Sequence, residues 1–187
     1  MIPDPQQHPR QAYVVTMARY NAWMNDKVYR AAARLPESEL MRERGAFFGS
    51  LFGTLSHVVV ADTVWLKRFA SDPSQPAHAH VLAQFSGLAM PARLDAHPYA
   101  DLQALATRLH ELDRVIEHWA AALDETALAA PLAYQNMQGE PLSRELFAAL
   151  MHFFNHQTHH RGQATTLLTQ AGEDVGATDL VAMPLPA

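Results

Sequence analysis

Residues 146–168 read LFAALMHFFNHQTHHRGQATTLL, and the expected fold is built outward from this segment. Its apolar positions recur with the 3.6-residue period of an α-helix and form one stripe along it. Ser143 is a suitable N-cap, and Leu142 and Phe147 occupy the two positions of a hydrophobic staple. Gly172, a residue type that favours helix C-termini, follows the last periodic position. We therefore predict a helix between Ser143 and Gly172 with one face against a core.

Three more helices are expected upstream. They cover residues 11–35, about 47–69 and about 99–123. The Leu35-Pro36 pair ends the first, because proline excludes the residue before it from helical geometry. Residues 71–99 hold four of the twelve prolines and show little periodicity, so we expect a long crossover there. No strand-like alternation competes with these helices. The prediction is an all-α four-helix bundle, with residues 1–187 as a single domain.

The composition excludes several classes of protein. A formal charge of −5 and an isoelectric point near 6.1 give no basic surface for a nucleic-acid partner. The chain has no cysteine, so no disulfide framework is expected. No run approaches the roughly 20 apolar residues of a membrane span, and the proline-broken N-terminus has no signal-peptide core. We expect a soluble cytoplasmic protein with no membrane partner.

The predicted last helix carries four closely spaced histidines. At about 100° per residue, His160 falls at the edge of the apolar stripe, and His156 lies about 40° further round. His152 and His159 fall toward the outer face. Residues i and i+4 lie one above the other on a helix, so His156 and His160 can offer two imidazoles to one metal ion.

A third ligand would have to come from another helix. His57 is a candidate because it is the one histidine of the apolar second helix, where a polar ring needs a partner. Asp62, on the same helix, faces the expected core and leaves three roles open: a ligand, a group that orients a ligand, or half of a buried pair with Arg161. By pattern alone, metal ligation and a hydrogen-bonded structural role for these histidines remain equal alternatives.

Other polar residues are harder to interpret from the sequence. Asn21 and Asn25 lie in mid-helix although asparagine is a poor helix former. Arg161 and Gln163 flank the histidines and would either orient an anionic substrate or tie helices together. No general acid or base is assigned, and the catalytic residues are left unknown.

The chain resembles the DinB/YfiT-like family of metalloenzymes, which is unrelated to the translesion polymerase that shares the name. The resemblance is carried by YNAWMN at 20–25, GSLFGTLSHVVVADTVWLKRF at 49–69 and NHQTHHRGQ at 155–163. It extends to the tail, with TLLTQAG at 166–172 and TDL at 178–180. The matching strings touch the first, second and fourth predicted helices. The third helix and the crossover match only in general character.

The resemblance implies an up-down-down-up bundle whose long crossover joins helices two and three. It implies a divalent metal, usually zinc or nickel, with iron or manganese as alternatives, held by His57, His156 and His160. Family members are often homodimers. Characterised relatives are similar to metal-dependent thiol transferases or to a thiol-dependent isomerase, and others have no assigned activity.

The leading hypothesis is an enzyme that transfers a low-molecular-weight thiol to an electrophile in detoxification or a stress response. Three imidazoles leave a tetrahedral ion one open position, which is typical of catalytic sites. The lack of cysteine fits this hypothesis, because the sulfur would come from the cosubstrate. The alternatives are a non-catalytic metal- or ligand-binding stress-response protein, a metal-dependent hydrolase, or an ion that only pins two helices together.

Overall fold

The computed structural model describes residues 4–72 and 76–185, with residues 76–79 as backbone only, and the described chain is mostly helical. Four long helices dominate it. They are α1 (Pro9–Ala32), α3 (Leu51–Ala70), α5 (Leu102–Ala122) and α7 (Leu146–Gln170). Shorter helices are α2 (Glu37–Leu40), α4 (Pro76–Ser86) and α6 (Glu125–Ala129), and a 3₁₀ turn spans Leu180–Ala182. Two strands, β1 (Pro131–Gln135) and β2 (Pro141–Glu145), pair antiparallel.

The four long helices enclose one apolar core. α1 packs against α5 and α7, and α3 packs against the same two helices. Large side chains from each helix are fully buried between them, among them Met24, Leu66, Leu109 and Phe153. The four predicted helices are therefore present, with ends that differ from the expected ones by a few residues.

Two of the four long helices have starts that are fixed by side-chain caps. Ser50 Oγ accepts a hydrogen bond from the Gly53 backbone N–H at 3.0 Å, which places the start of α3 at Leu51. Asp101 accepts from the Ala104 N–H at 2.8 Å at the start of α5. Each cap satisfies a backbone donor that the first helical turn leaves without a partner.

The expectation of an irregular crossover at residues 71–99 was incomplete, because α4 lies inside it. Leu82 and Phe85, one helical turn apart, are both fully buried, and α4 packs against α3 and α5. A short helix is stabilised mainly by such tertiary packing, which a local pattern does not report. Residues 73–75 lie outside the described part of the chain.

Two predictions were wrong: that the chain contains no strands, and that Ser143 caps the last helix. Ser143 lies in β2, opposite Ala133, and α7 begins only at Leu146 without a side-chain cap. Gly139, at φ 81°, allows the tight turn between the strands. Phe147 contacts the Tyr13 ring edge-on at a centroid distance of 5.6 Å, so it packs on α1. The hairpin therefore takes the residues that the sequence pattern assigned to the start of the helix.

The predicted end of the last helix is confirmed at Gly172. Its φ of 86° lets the chain reverse, and the Glu173 N–H donates to the Leu168 carbonyl at 2.9 Å. The tail then returns along α1, where Tyr20 Oη donates to the Thr178 carbonyl at 2.6 Å. Among the described residues, no helix combines the length and apolarity needed to cross a membrane.

Candidate metal centre

Three histidines from two helices meet at one edge of the core. α3 contributes His57, and α7 contributes His156 and His160. The Nε2 atom of His156 lies 3.2 Å from Nε2 of His57 and 3.1 Å from Nε2 of His160. One ring nitrogen from each residue lies within 4.8 Å of the other two. The structure thus brings together the three histidines that the sequence singled out.

The outer nitrogens of two rings have oxygen partners. Nδ1 of His57 lies 2.9 Å from the Leu94 carbonyl, and Nδ1 of His160 lies 2.7 Å from Oε1 of Gln163. Because both partners are acceptors, each Nδ1 carries the proton in the neutral ring. The Nε2 lone pairs of His57 and His160 are therefore directed at the shared centre. An outer hydrogen bond of this kind fixes the tautomer in metal-ligating histidines.

The donor set fits a divalent metal ion. His156 can share one proton with one neighbour, so at least one close pair of nitrogens is left with two facing lone pairs. A cation at the centre would accept all three lone pairs at once. Tetrahedral bonds of 2.0–2.1 Å to nitrogen would separate the ligand atoms by about 3.3 Å. The two separations between Nε2 atoms, 3.1 and 3.2 Å, are close to that edge length.

The electrostatic environment keeps these rings neutral, which is the state that binds metals. Burial lowers the pKa of His156 to about 3, and repulsion from a protonated His160 or His57 acts in the same direction. Burial also lowers the pKa of His57 and of His160, although the hydrogen bonds to Leu94 and Gln163 act in the opposite direction. At neutral pH, all three imidazoles are available as ligands.

A phenylalanine covers one side of the histidine group. The Phe48 ring stacks on His57 at a centroid distance of 3.9 Å and an interplanar angle of 17°, and meets His160 edge-on at 5.5 Å. Gly53 holds the loop before α3 close, since a Cβ there would lie 2.2 Å from the Phe48 carbonyl oxygen. Sequence reasoning missed Phe48, because it assigned this residue to the first turn of the second helix, whereas Phe48 lies in the loop before α3.

The remaining polar candidates do not join the histidine group. Asp62 is buried, and its Oδ2 accepts from Gln157 Nε2 at 2.8 Å. Burial raises the pKa of Asp62 to about 8, against the opposing effect of the Gln157 hydrogen bond. His159 is exposed, as the helical winding indicated. His152 is also on the outer side and contacts the Trp65 ring at a centroid distance of 5.1 Å.

Arg161 belongs to a separate buried network that explains the two mid-helix asparagines. Its Nη1 donates to Oδ1 of Asn21 and, at 3.4 Å, to Oδ1 of Asn25. The amide groups of Asn21 and Asn25 donate in turn to Asp113 Oδ1 at 3.0 and 2.9 Å. The asparagines thus connect a buried cation to a buried carboxylate across three helices, and Arg161 ties helices together rather than facing a ligand.

Fold and site together define a mostly helical protein with a three-histidine group that is compatible with a metal site. The sequence profile of the DinB family matches residues 8–186, and the chain belongs to this family. It is similar to Protein DinB of Bacillus subtilis (strain 168), with 27% identity over 167 residues, covering 89% of this chain and 91% of that protein. No solved structure shows a significant match.

Proposed function

We propose that the chain is a metal-dependent enzyme whose divalent ion is held by Nε2 of His57, His156 and His160. The observation that carries this proposal is the convergence of three Nε2 atoms, two of them on rings whose Nδ1 is tied to an oxygen acceptor. Zinc or nickel suits such a nitrogen set, with iron or manganese as alternatives. Membership of the DinB family supports the assignment.

The proposed reaction is the transfer of a low-molecular-weight thiol to an electrophile, in detoxification or a stress response. A divalent ion with three protein ligands supplies a positive charge that stabilises a thiolate, or hydroxide from water, at neutral pH. Phe48 shields one side of the histidine group from water. A cavity of about 230 Å³ lies beside His156 and would receive the substrates.

Turnover of a defined substrate pair tests this proposal. Zinc-loaded protein is mixed with cysteine and 1-chloro-2,4-dinitrobenzene; the thiol sulfur bonds to the ring carbon, the carbon–chlorine bond breaks, chloride leaves, and the thiol proton passes to solvent. We expect a rate above the uncatalysed one, lost in His160→Ala and retained in His159→Ala, whose ring is exposed on the same helix.

Two other outcomes would redirect the proposal. Turnover that survives in His160→Ala would contradict the metal mechanism. Metal-loaded protein that turns over neither this pair nor a wider panel of thiols and electrophiles would favour the non-catalytic metal- or ligand-binding stress-response protein. Ester hydrolysis without a thiol would favour the metal-dependent hydrolase.

We also propose that the long helices form an up-down-down-up four-helix bundle in a single cytoplasmic domain, and that two chains form a homodimer. The packing of α1 and α3 each against both α5 and α7 supports the bundle, because it gives every long helix two neighbours. The dimer rests on the family resemblance. Light scattering coupled to size-exclusion chromatography tests it, and a monomer mass at micromolar concentration would contradict it.

A further inference from the structure

The cavity beside His156 combines apolar walls with one cationic group. Its volume is about 230 Å³. The apolar lining includes Trp65, Leu94 and Met137, and the polar lining consists of Arg68, His152 and His156. Cavities for drug-sized ligands are about 300–1,000 Å³, so this one suits a compact molecule. A ligand in this cavity would contact His156, which belongs to the proposed metal centre, and also the guanidinium of Arg68.

The charge of Arg68 has no carboxylate partner among residues 4–72 and 80–185. Its Nε is buried and makes no hydrogen bond there. Arg44 differs only in its charge pairing: its Nε is likewise buried without a hydrogen bond, but its Nη2 pairs with Glu39 at 2.5 Å. Burial lowers the pKa of Arg68, yet a guanidinium stays protonated at neutral pH. A half-buried cation with an unused donor is therefore available to an incoming anion.

Two aromatic rings hold the Arg68 guanidinium in place. Its central carbon lies 4.8 Å from the centroid of Trp65 and 5.3 Å from that of Tyr134. Such stacking uses the faces of the guanidinium and leaves the N–H groups at its edge free to donate. A carboxylate matches that edge, because its two oxygens can accept two parallel hydrogen bonds.

We propose that Arg68 forms an anion subsite that binds the carboxylate of a small thiol whose sulfur reaches the histidine group. This inference rests on the proposed function, because the histidine group defines where the sulfur lies. It adds the class of cosubstrate, a compact thiol that carries a carboxylate. The apolar walls around Trp65 and Leu94 would contact the carbon chain between the two ends.

The test compares two thiols of equal chain length. Cobalt-loaded protein is titrated with 3-mercaptopropionate and with 3-mercaptopropan-1-ol, and sulfur ligation is followed by the thiolate-to-cobalt absorption. We expect the carboxylate thiol to bind at least about tenfold more tightly than the alcohol, as a charge-assisted bidentate contact would give. The preference should fall to about one in Arg68→Met and be only partly kept in Arg68→Lys, because an ammonium keeps the charge but not the stacked, bidentate geometry.

Lys67→Met is the matched control, because it removes the same charge from the adjacent residue, whose Nζ instead donates to the Ser86 carbonyl. This variant should keep the preference of the wild type. Equal preference in Arg68→Met and in the wild type, or no preference in the wild type, would overturn the inference. Loss of the preference in Lys67→Met to the same extent as in Arg68→Met would also overturn the inference.

A second arm separates this inference from the proposed function. If neither thiol changes the cobalt spectrum, the proposed thiol chemistry fails, and the anion subsite is judged by titration calorimetry of the metal-free protein with glutarate. Binding that is present in the wild type and lost in Arg68→Met supports the subsite. Equal binding by both proteins, or none by either, overturns it.

Discussion

Two polar regions of the core meet at adjacent residues of α7, and their hydrogen bonds differ in kind. His160 faces His57 and His156, where nitrogen lone pairs converge without enough protons to satisfy them. Arg161 faces α1 and α5, where every bond runs from a donor to an acceptor, through Asn21 and Asn25 to Asp113. The first region could hold a cation from outside the protein, and the second already contains its own cation, Arg161.

This difference separates a candidate binding site from a structural network. A buried ionic network is costly to desolvate and contributes only when it is complete, so the loss of one member leaves an unpaired charge. In a set of neutral imidazoles, by contrast, the loss of one ring leaves no unpaired charge behind. Substitutions in the two regions should therefore have opposite consequences for stability and for metal binding.

The largest effect on stability is expected for Arg161→Met. This change removes the cation and leaves Asp113 buried with only its asparagine donors, so the free energy of unfolding should fall by about 3–5 kcal/mol. The loss should be smaller at pH 5 than at pH 8. Burial already raises the pKa of Asp113 to about 7, and a proton can neutralise the orphaned carboxylate at the lower pH.

Urea denaturation of the metal-free protein measures this loss. Arg144→Met, which removes an exposed arginine from β2, should change the free energy of unfolding by no more than about 0.5 kcal/mol. A loss below about 1 kcal/mol in Arg161→Met would remove the distinction between the two regions, because the network would then be no more important than an exposed side chain.

The next effect is a pH dependence that originates at Asp62. Burial raises its pKa from 3.8 to about 8, so the folded protein holds this proton more tightly than the unfolded chain. Stability from this group is fully present below pH 3.8 and is lost progressively as pH rises toward 8. In Asp62→Asn, which keeps an oxygen acceptor for Gln157 and cannot ionise, that decline should be absent.

Unfolding free energies of the metal-free wild type and Asp62→Asn at pH 5 and pH 8 check this prediction. We expect the wild type to lose more stability than the variant between the two values. Equal changes in both proteins would mean that Asp62 does not titrate in this range and does not contribute to the pH dependence of stability.

A smaller pair of effects comes from two glycines near the histidines. In Gly53→Ala the new Cβ would lie 2.2 Å from the Phe48 carbonyl oxygen, so the loop must move, at a cost of about 1–3 kcal/mol. Metal affinity should fall as Phe48 leaves His57.

In Gly162→Ala the new Cβ meets nothing within 4 Å in the interior of α7. That variant should gain about 0.5–1 kcal/mol, with metal affinity unchanged.

Thermal melting and metal titration of both glycine variants test these expectations. Unaltered melting and metal affinity in Gly53→Ala would show that the loop position is not fixed by this contact. A loss of stability in Gly162→Ala would show that the α7 backbone there is not free to accept a side chain.

Only part of the histidine group could be predicted from local geometry. An i, i+4 spacing on a periodic helix selects His156 and His160. A single polar ring in an apolar helix made His57 a candidate, and the family resemblance implied it as the third ligand. Of the buried Arg161 network, the sequence indicated only that Asn21 and Asn25 lie in mid-helix without an evident reason. Their common partner, Asp113, lies about 90 residues away in an ordinary amphipathic helix, and no local pattern links the three.

The elements that the sequence did not predict are those held by distant contacts. α4 is fixed by Leu82 and Phe85 in the common core, although the surrounding prolines suggest irregular chain. In β1, Leu132 is buried, and the Ala133 N–H donates at 2.9 Å to Asp72, which follows the end of α3. Five-residue strands with one buried position in β1 and none in β2 give too weak an alternation to read from sequence.

Metal content is the most direct test of the central claim that His57, His156 and His160 hold a divalent ion. Purified, untagged wild-type protein, His156→Ala and His159→Ala are each incubated with zinc, dialysed and analysed for bound metal. We expect about one ion per chain in the wild type and in His159→Ala, and a loss of bound metal in His156→Ala. Wild-type protein that retains no metal, or His156→Ala that retains as much as the wild type, would contradict the account.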